Sequence, residues 1–258
     1  MDNTAEKRKT DDLDDKYADI PLDEHVLHMW TPLRFQASPG FDYLLDGILG
    51  KISHFLVKIV ALAILKPFNR LAFGFRIRGK ESIRKVIKTG AVTICNHVHP
   101  MDCTFLFTAF WRKRMYYLTL SSNFQIPLIR HIIRIFGAIP ISNNISAKQE
   151  MRQALNSALQ KGRFVQIYPE GILRPYYASL RPFQNGAFHM AYINNKPILP
   201  AVITFREPKG LYKIYKRKPC IQLTVLDPIY PNTKAQKTEE VRRLKALCRQ
   251  RMQDGLSV

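Results

Sequence analysis

At 258 residues, 46% of them hydrophobic, the chain is long enough for one α/β domain with an appendage and too short for two unrelated full domains. Its formal charge of +20 favours a polyanion as partner, either nucleic acid or the headgroups of an anionic membrane, and charge alone does not choose between them. Four cysteines without C-x-x-C spacing, behind an acidic N-terminus, argue against a secreted disulfide scaffold and for reduced thiols in a cytosolic compartment.

Residues 1–40 are polar, acidic at first and then Pro-rich, and predict a mobile tail or a strap over the body, with Trp30 as its one large apolar anchor. Up to His25 there are nine acids against four bases, so the rest of the chain carries +25. Residues 41–72 change character. Apolar residues recur there at helical spacing, with Lys51, His54 and Lys58 along one side, and no uninterrupted apolar run reaches the ~18 residues of a spanning helix. The pattern predicts one or two amphipathic helices broken near Pro67. They could pack on the protein's own core. The basic body favours a monotopic dock instead, with the apolar face in the acyl boundary and the lysines among headgroups.

From residue 73 to the end, strands and helices alternate. Strands are expected near Phe75–Gly79, Ala91–Asn96, Met115–Ser121, Ala138–Ser142, Phe164–Tyr168, Ile198–Phe205 and Ile221–Ile229. The clearest helix is Ala147–Lys161, with Ser146 and Gln149 as a capping box and Gly162 as its stop, and a basic helix covers Thr238–Met252. This alternation implies a single mixed, largely parallel sheet covered by helices, with sites off the strands' carboxyl ends. The run KGLYKIYKRK is expected as a solvated hairpin or loop. There is no Gly-rich phosphate loop and no G-x-S-x-G, which argues against an ordinary serine hydrolase.

One strand-to-helix junction carries chemistry. After the apolar run Ala91–Cys95 comes His97, and Asp102 follows in the first turn of a helix that Pro100 would open. A carboxylate there can bond one ring nitrogen and leave the other as a base. The same pair could be a polar turn residue and a helix-start carboxylate. A metal cluster of Cys95, His97, His99 and Cys103 has the right ligand types, but its spacing fits no usual zinc pattern.

Four segments stand in order: NHVHPMD (Asn96–Asp102), FGAIPIS (Phe136–Ser142), YPEG (Tyr168–Gly171) with LRPFQNGAFHMA (Leu180–Ala191), and PILPAVI (Pro197–Ile203). On these the chain resembles, over roughly Arg76 to Phe205, the glycerolipid acyltransferases typified by 1-acylglycerol-3-phosphate acyltransferase. The resemblance implies transfer of a fatty acyl group from acyl carrier protein or coenzyme A to the hydroxyl of a lysophospholipid. No further cofactor, no metal and no nucleic acid are expected, and the cytoplasmic face of the cell membrane is the expected place of work. It makes His97 and Asp102 the catalytic H-x4-D pair. Glu170 and Gly171 then match the start of the acceptor-binding E-G-T-R-S motif, which the chain continues with Ile172, Leu173 and Arg174. The arginine that usually closes the second motif is also missing, since Ser142, Asn143 and Asn144 stand there. Arg174 and Arg181 remain as candidates for a phosphate, and the departures also allow a larger headgroup. Two other classes are a basic nucleic-acid binder, which charge alone supports, and a thioesterase on the same fold.

Overall fold

The computed structural model describes residues 34–257. Seven strands form one sheet: β1 (Arg76–Arg78), β2 (Ala91–Cys95), β3 (Met115–Leu120), β4 (Ala138–Ile141), β5 (Phe164–Ile167), β6 (Ile198–Arg206) and β7 (Cys220–Val225). Their order across the sheet is β1-β7-β6-β2-β5-β3-β4. The five strands from β6 to β4 run parallel, β7 lies antiparallel to β6, and β1 pairs parallel with β7. The mixed, largely parallel sheet is as expected, and every expected strand is present.

The sequence of β2, AVTIC, shows why it sits centrally. All five residues are buried, as a strand covered on both faces requires. Alternate side chains of the sheet feed two cores. One holds Tyr116, Leu155, Phe188 and Leu244, and the other Phe105, Phe110, Leu199 and Leu223. Covering helices are α2 (Lys80–Val86), α3 (Asp102–Ala109), α4 (Ile129–Ile135), α5 (Ile145–Gln160), α6 (Gly186–Asn194) and α8 (Lys237–Leu256). α5 starts earlier than the capping-box reading placed it. Asn144 is its N-cap, accepting the Ala147 N–H at 3.0 Å, while Gly162 ends it at φ +69°.

The basic run expected as a loop contains a short helix, α7 (Leu211–Tyr215). Its side chains find partners at the end of α1 (Ile48–Phe73), where the last carbonyls lack helical donors. Tyr212 and Tyr215 donate to the Arg70 and Leu71 carbonyls at 2.8 and 2.7 Å, and Lys216 donates to Ala72 at 2.6 Å.

α1 corrects three expectations. It is one helix of 26 residues that continues through Pro67 without a break. It is also long and apolar enough to cross a membrane, by length and composition. Lastly, its polar side turns inward: the His54 ring bonds the Ile135 carbonyl at 2.8 Å, and Lys58 is half-buried near Trp111. The outward side is apolar, with Leu49 at 80% and Phe55 at 60% exposure. Lys51 and Lys66 stay exposed, but isoleucine, leucine and phenylalanine make up most of what the helix shows to solvent.

Of the expected tail, residues 1–33, Trp30 among them, lie outside the described residues. Residues 34–47 form a strap. Ala37, Tyr43 and Leu44 join the core, and Asp46 ion-pairs with Lys161 and Arg163 at 2.7 and 2.6 Å.

Candidate active site

The site lies where β2 and β5 end. Asn96 fixes the exit of β2 by donating to the Ile203 carbonyl at 3.0 Å and accepting the Ile203 N–H at 2.7 Å. Over the next two residues the loop is stapled to residues 171–177: Arg174 N–H donates to the His97 carbonyl at 2.9 Å and Tyr176 N–H to the Val98 carbonyl at 2.8 Å. Tyr176 holds φ +60°, a conformation that costs a non-glycine residue energy and that its buried ring, packed on His99 and Phe205, maintains.

His97 Nδ1 lies 2.9 Å from Asp102 Oδ2. The same oxygen accepts the Val98 and His99 amides at 2.9 and 3.1 Å, so a fully buried carboxylate is fixed by the loop it serves. The ring is stacked on Tyr168 at 3.9 Å between centroids, with 12° between planes. With Nδ1–H donated to the acid, Nε2 is the nitrogen left for a substrate. His99 has a different task. Its Nδ1 accepts the Met101 N–H at 3.1 Å, its ring packs on Phe73 and Phe105, and burial lowers its pKa.

Glu170 and Arg181 come together behind this loop. Arg181 Nη2 sits 2.9 Å from Glu170 Oε2, which also takes the His97 N–H at 3.4 Å. Burial pushes the Glu170 carboxyl above its usual value despite the Arg181 charge. Arg174 is buried as well. Of the four residues assigned to substrate, only Gly171 lines the groove that opens at His97. Glu170 and Arg181 instead hold the loop that presents the histidine.

That groove encloses about 1330 Å³ between β3, α5 and α6, with walls that mix Leu118, Ile141 and Met190 with Asn123, Gln149 and Gln184. Among the described residues Arg152 is the one formally charged residue that lines it. Sequence reasoning passed over it because it treated α5 as packing. The signal was present, since Gln149, Arg152, Gln153 and Asn156 recur at i, i+3, i+4 and i+7 beside the buried Met151 and Leu155. His189, also on the groove, is held below its usual pKa by burial and by the charges of Lys237 and Arg152. The buried Tyr117 and Tyr168 hydroxyls have no hydrogen-bond partner among the described residues, and burial raises both well above the phenol value, so they stay protonated donors. Cys103 opens on the groove, but the protein mass around it raises its thiol to about 11, and Cys95 is wholly buried. No group of three metal-ligating side chains comes together among the described residues.

An α/β domain that holds a histidine on a buried carboxylate at the mouth of a groove has the geometry of a general base. A family model described as Acyltransferase matches residues 74–204, half of the chain, and the chain belongs to that family. It is 28% identical over 227 residues to a putative 1-acyl-sn-glycerol-3-phosphate acyltransferase of Caenorhabditis elegans, covering 83% of this chain and 82% of that one. It is 26% identical over 165 residues to a chloroplastic 1-acyl-sn-glycerol-3-phosphate acyltransferase of Brassica napus, covering 63% of this chain and 45% of the relative. The matched stretch thus spans about half the length of such plant relatives. In fold, it matches the crystal structure of the 1-acyl-sn-glycerophosphate acyltransferase PlsC from Thermotoga maritima at a TM-score of 0.57, with 18% identity over 83% of this chain and 88% of that one.

Proposed function

We propose that the protein is a membrane-bound acyltransferase that moves a fatty acyl group from an acyl thioester, on coenzyme A or acyl carrier protein, to the free hydroxyl of a lysophospholipid. 1-acyl-sn-glycerol-3-phosphate is the first acceptor to test, and the cytoplasmic face of the membrane the place of work. The 2.9 Å bond between His97 Nδ1 and Asp102 Oδ2 at the mouth of the groove carries this reading.

In the reaction, His97 Nε2 takes the hydroxyl proton while the oxygen attacks the thioester carbonyl. The new C–O bond replaces the C–S bond, and the imidazolium returns its proton to the departing thiolate. A lipid alcohol is a poor nucleophile near neutrality, and a positioned base contributes roughly 10²–10⁴-fold to such a step.

Arg152, rather than Arg174 or Arg181, faces the acceptor's anionic headgroup in this reading. It is the cation in the groove among the described residues, whereas Arg181 pairs with Glu170. A panel of lysolipids offered with one acyl thioester tests the proposal. Acylation of lysophosphatidate well above that of uncharged lysolipids is the expected result; thioester hydrolysis at a rate indifferent to every acceptor would assign a thioesterase instead.

A further inference from the structure

A second concavity, about 770 Å³, lies on the flank of α1, away from His97. Its walls are Lys66 and Arg70 of α1, Arg76 and Arg78 of the edge strand β1, Lys80 and Arg84 of α2, and two more cations in the turn after α3. Among the described residues no aspartate or glutamate lines it. None of its cations enters an ion pair among the described residues. Eight like charges around one hollow repel one another, and Arg76 and Arg78 already help to lower the pKa of neighbouring Arg206, behind burial as the main cause. A bound polyanion would relieve that repulsion.

We infer that this groove seats the phosphate headgroups of anionic phospholipids in the leaflet that α1 enters. Three observations favour a lipid over other anions. The groove's own rim is α1, most of whose exposed residues are apolar. Trp111, 38% exposed at the groove, lies under the Lys66 ammonium at 4.6 Å, the pairing of aromatic ring and cation found at membrane interfaces. Across the groove Tyr212 ties α7 to α1, and α7 carries Leu211 and Ile214 outward at 77% and 81% exposure. Apolar side chains and cations thus share one face. The inference rests on reading α1 as the membrane-facing helix, and not on the reaction at His97.

The test is flotation of the full chain with phosphatidylcholine vesicles, with and without phosphatidylglycerol. Each cation near an anionic leaflet adds up to ~1 kcal/mol, so Arg76→Gln/Arg78→Gln/Arg84→Gln should weaken binding to the anionic vesicles roughly tenfold or more. Binding to pure phosphatidylcholine, driven by α1, should not change. A control, Lys234→Gln/Arg242→Gln/Arg251→Gln, removes the same charge elsewhere and should have little effect. The inference is overturned if the control loses as much as the groove variant, or if the groove variant binds as the parent does. A raised KM for acyl-coenzyme A with vesicle binding intact also overturns it, and would assign the groove to the donor's phosphates. Circular dichroism and thermal melts confirm that both variants fold. Because vesicle binding is read without turnover, failure of the acyltransferase reading would leave this result standing.

Discussion

The loop around His97 and the helix α1 solve opposite problems. At the loop, polar groups are buried and most are paired inward: Asp102 Oδ2 takes one ring and two amides, and Glu170 takes Arg181 and the His97 amide. Along α1, apolar side chains face outward and the polar His54 bonds the body. The first region is rigid because each buried polar group would be costly to leave unmatched. The second is stable only if something apolar replaces water over Leu49, Phe55 and their neighbours.

The largest effects should come from breaking the loop's inward pairing. Asp102→Asn would keep the shape of the side chain but lose the charge that orients His97. It should lower kcat by roughly 10²–10⁴-fold with little change in KM, measured with one thioester and lysophosphatidate. Arg181→Met strands the Glu170 carboxylate and should destabilise the fold by ~3–5 kcal/mol in urea denaturation, with Glu170→Gln/Arg181→Met recovering much of that loss. Arg152→Ala should raise KM for lysophosphatidate about 10- to 100-fold and leave that for an uncharged acceptor nearly unchanged, the worth of a lost charge-assisted hydrogen bond.

Smaller effects sharpen the contrast at the joints. Buried Asn69 of α1 bonds Thr104 of α3, the helix that carries Asp102, so Asn69→Ala should cost about 1 kcal/mol of stability and loosen the anchor from the site. The strap supplies the smallest. Burial would raise the Asp46 carboxyl, but its bonds to Lys161 and Arg163 outweigh this and hold it below the usual carboxylate range. A lowered folded pKa means its contribution is present above the unfolded value and is lost as pH falls through the folded one. Asp46→Asn should therefore cost about 1 kcal/mol or less at neutral pH, and the deficit should vanish in acid unfolding curves below that range.

The sheet was legible because the strands are short β-branched runs between turn residues, and burial on both faces leaves little choice of period. The His97 and Asp102 pair was legible because five positions across a strand-to-helix turn bring the two side chains together. For Arg181 the sequence offered only a substrate role, since only the fold shows that residue 170 lies against residue 181. Arg152 was missed because a helix face was judged by its apolar half alone. The orientation of α1 could not be read from Lys51, His54 and Lys58, because composition does not say which side of a helix the body claims.

The central claim is that His97 removes the acceptor's proton. Acyl transfer from one thioester to lysophosphatidate by His97→Gln, in the presence of vesicles and at matched protein folding, tests it most directly. The account predicts a fall of roughly 10²–10⁴-fold in kcat with vesicle binding unchanged. Turnover within a few-fold of the parent chain would contradict it.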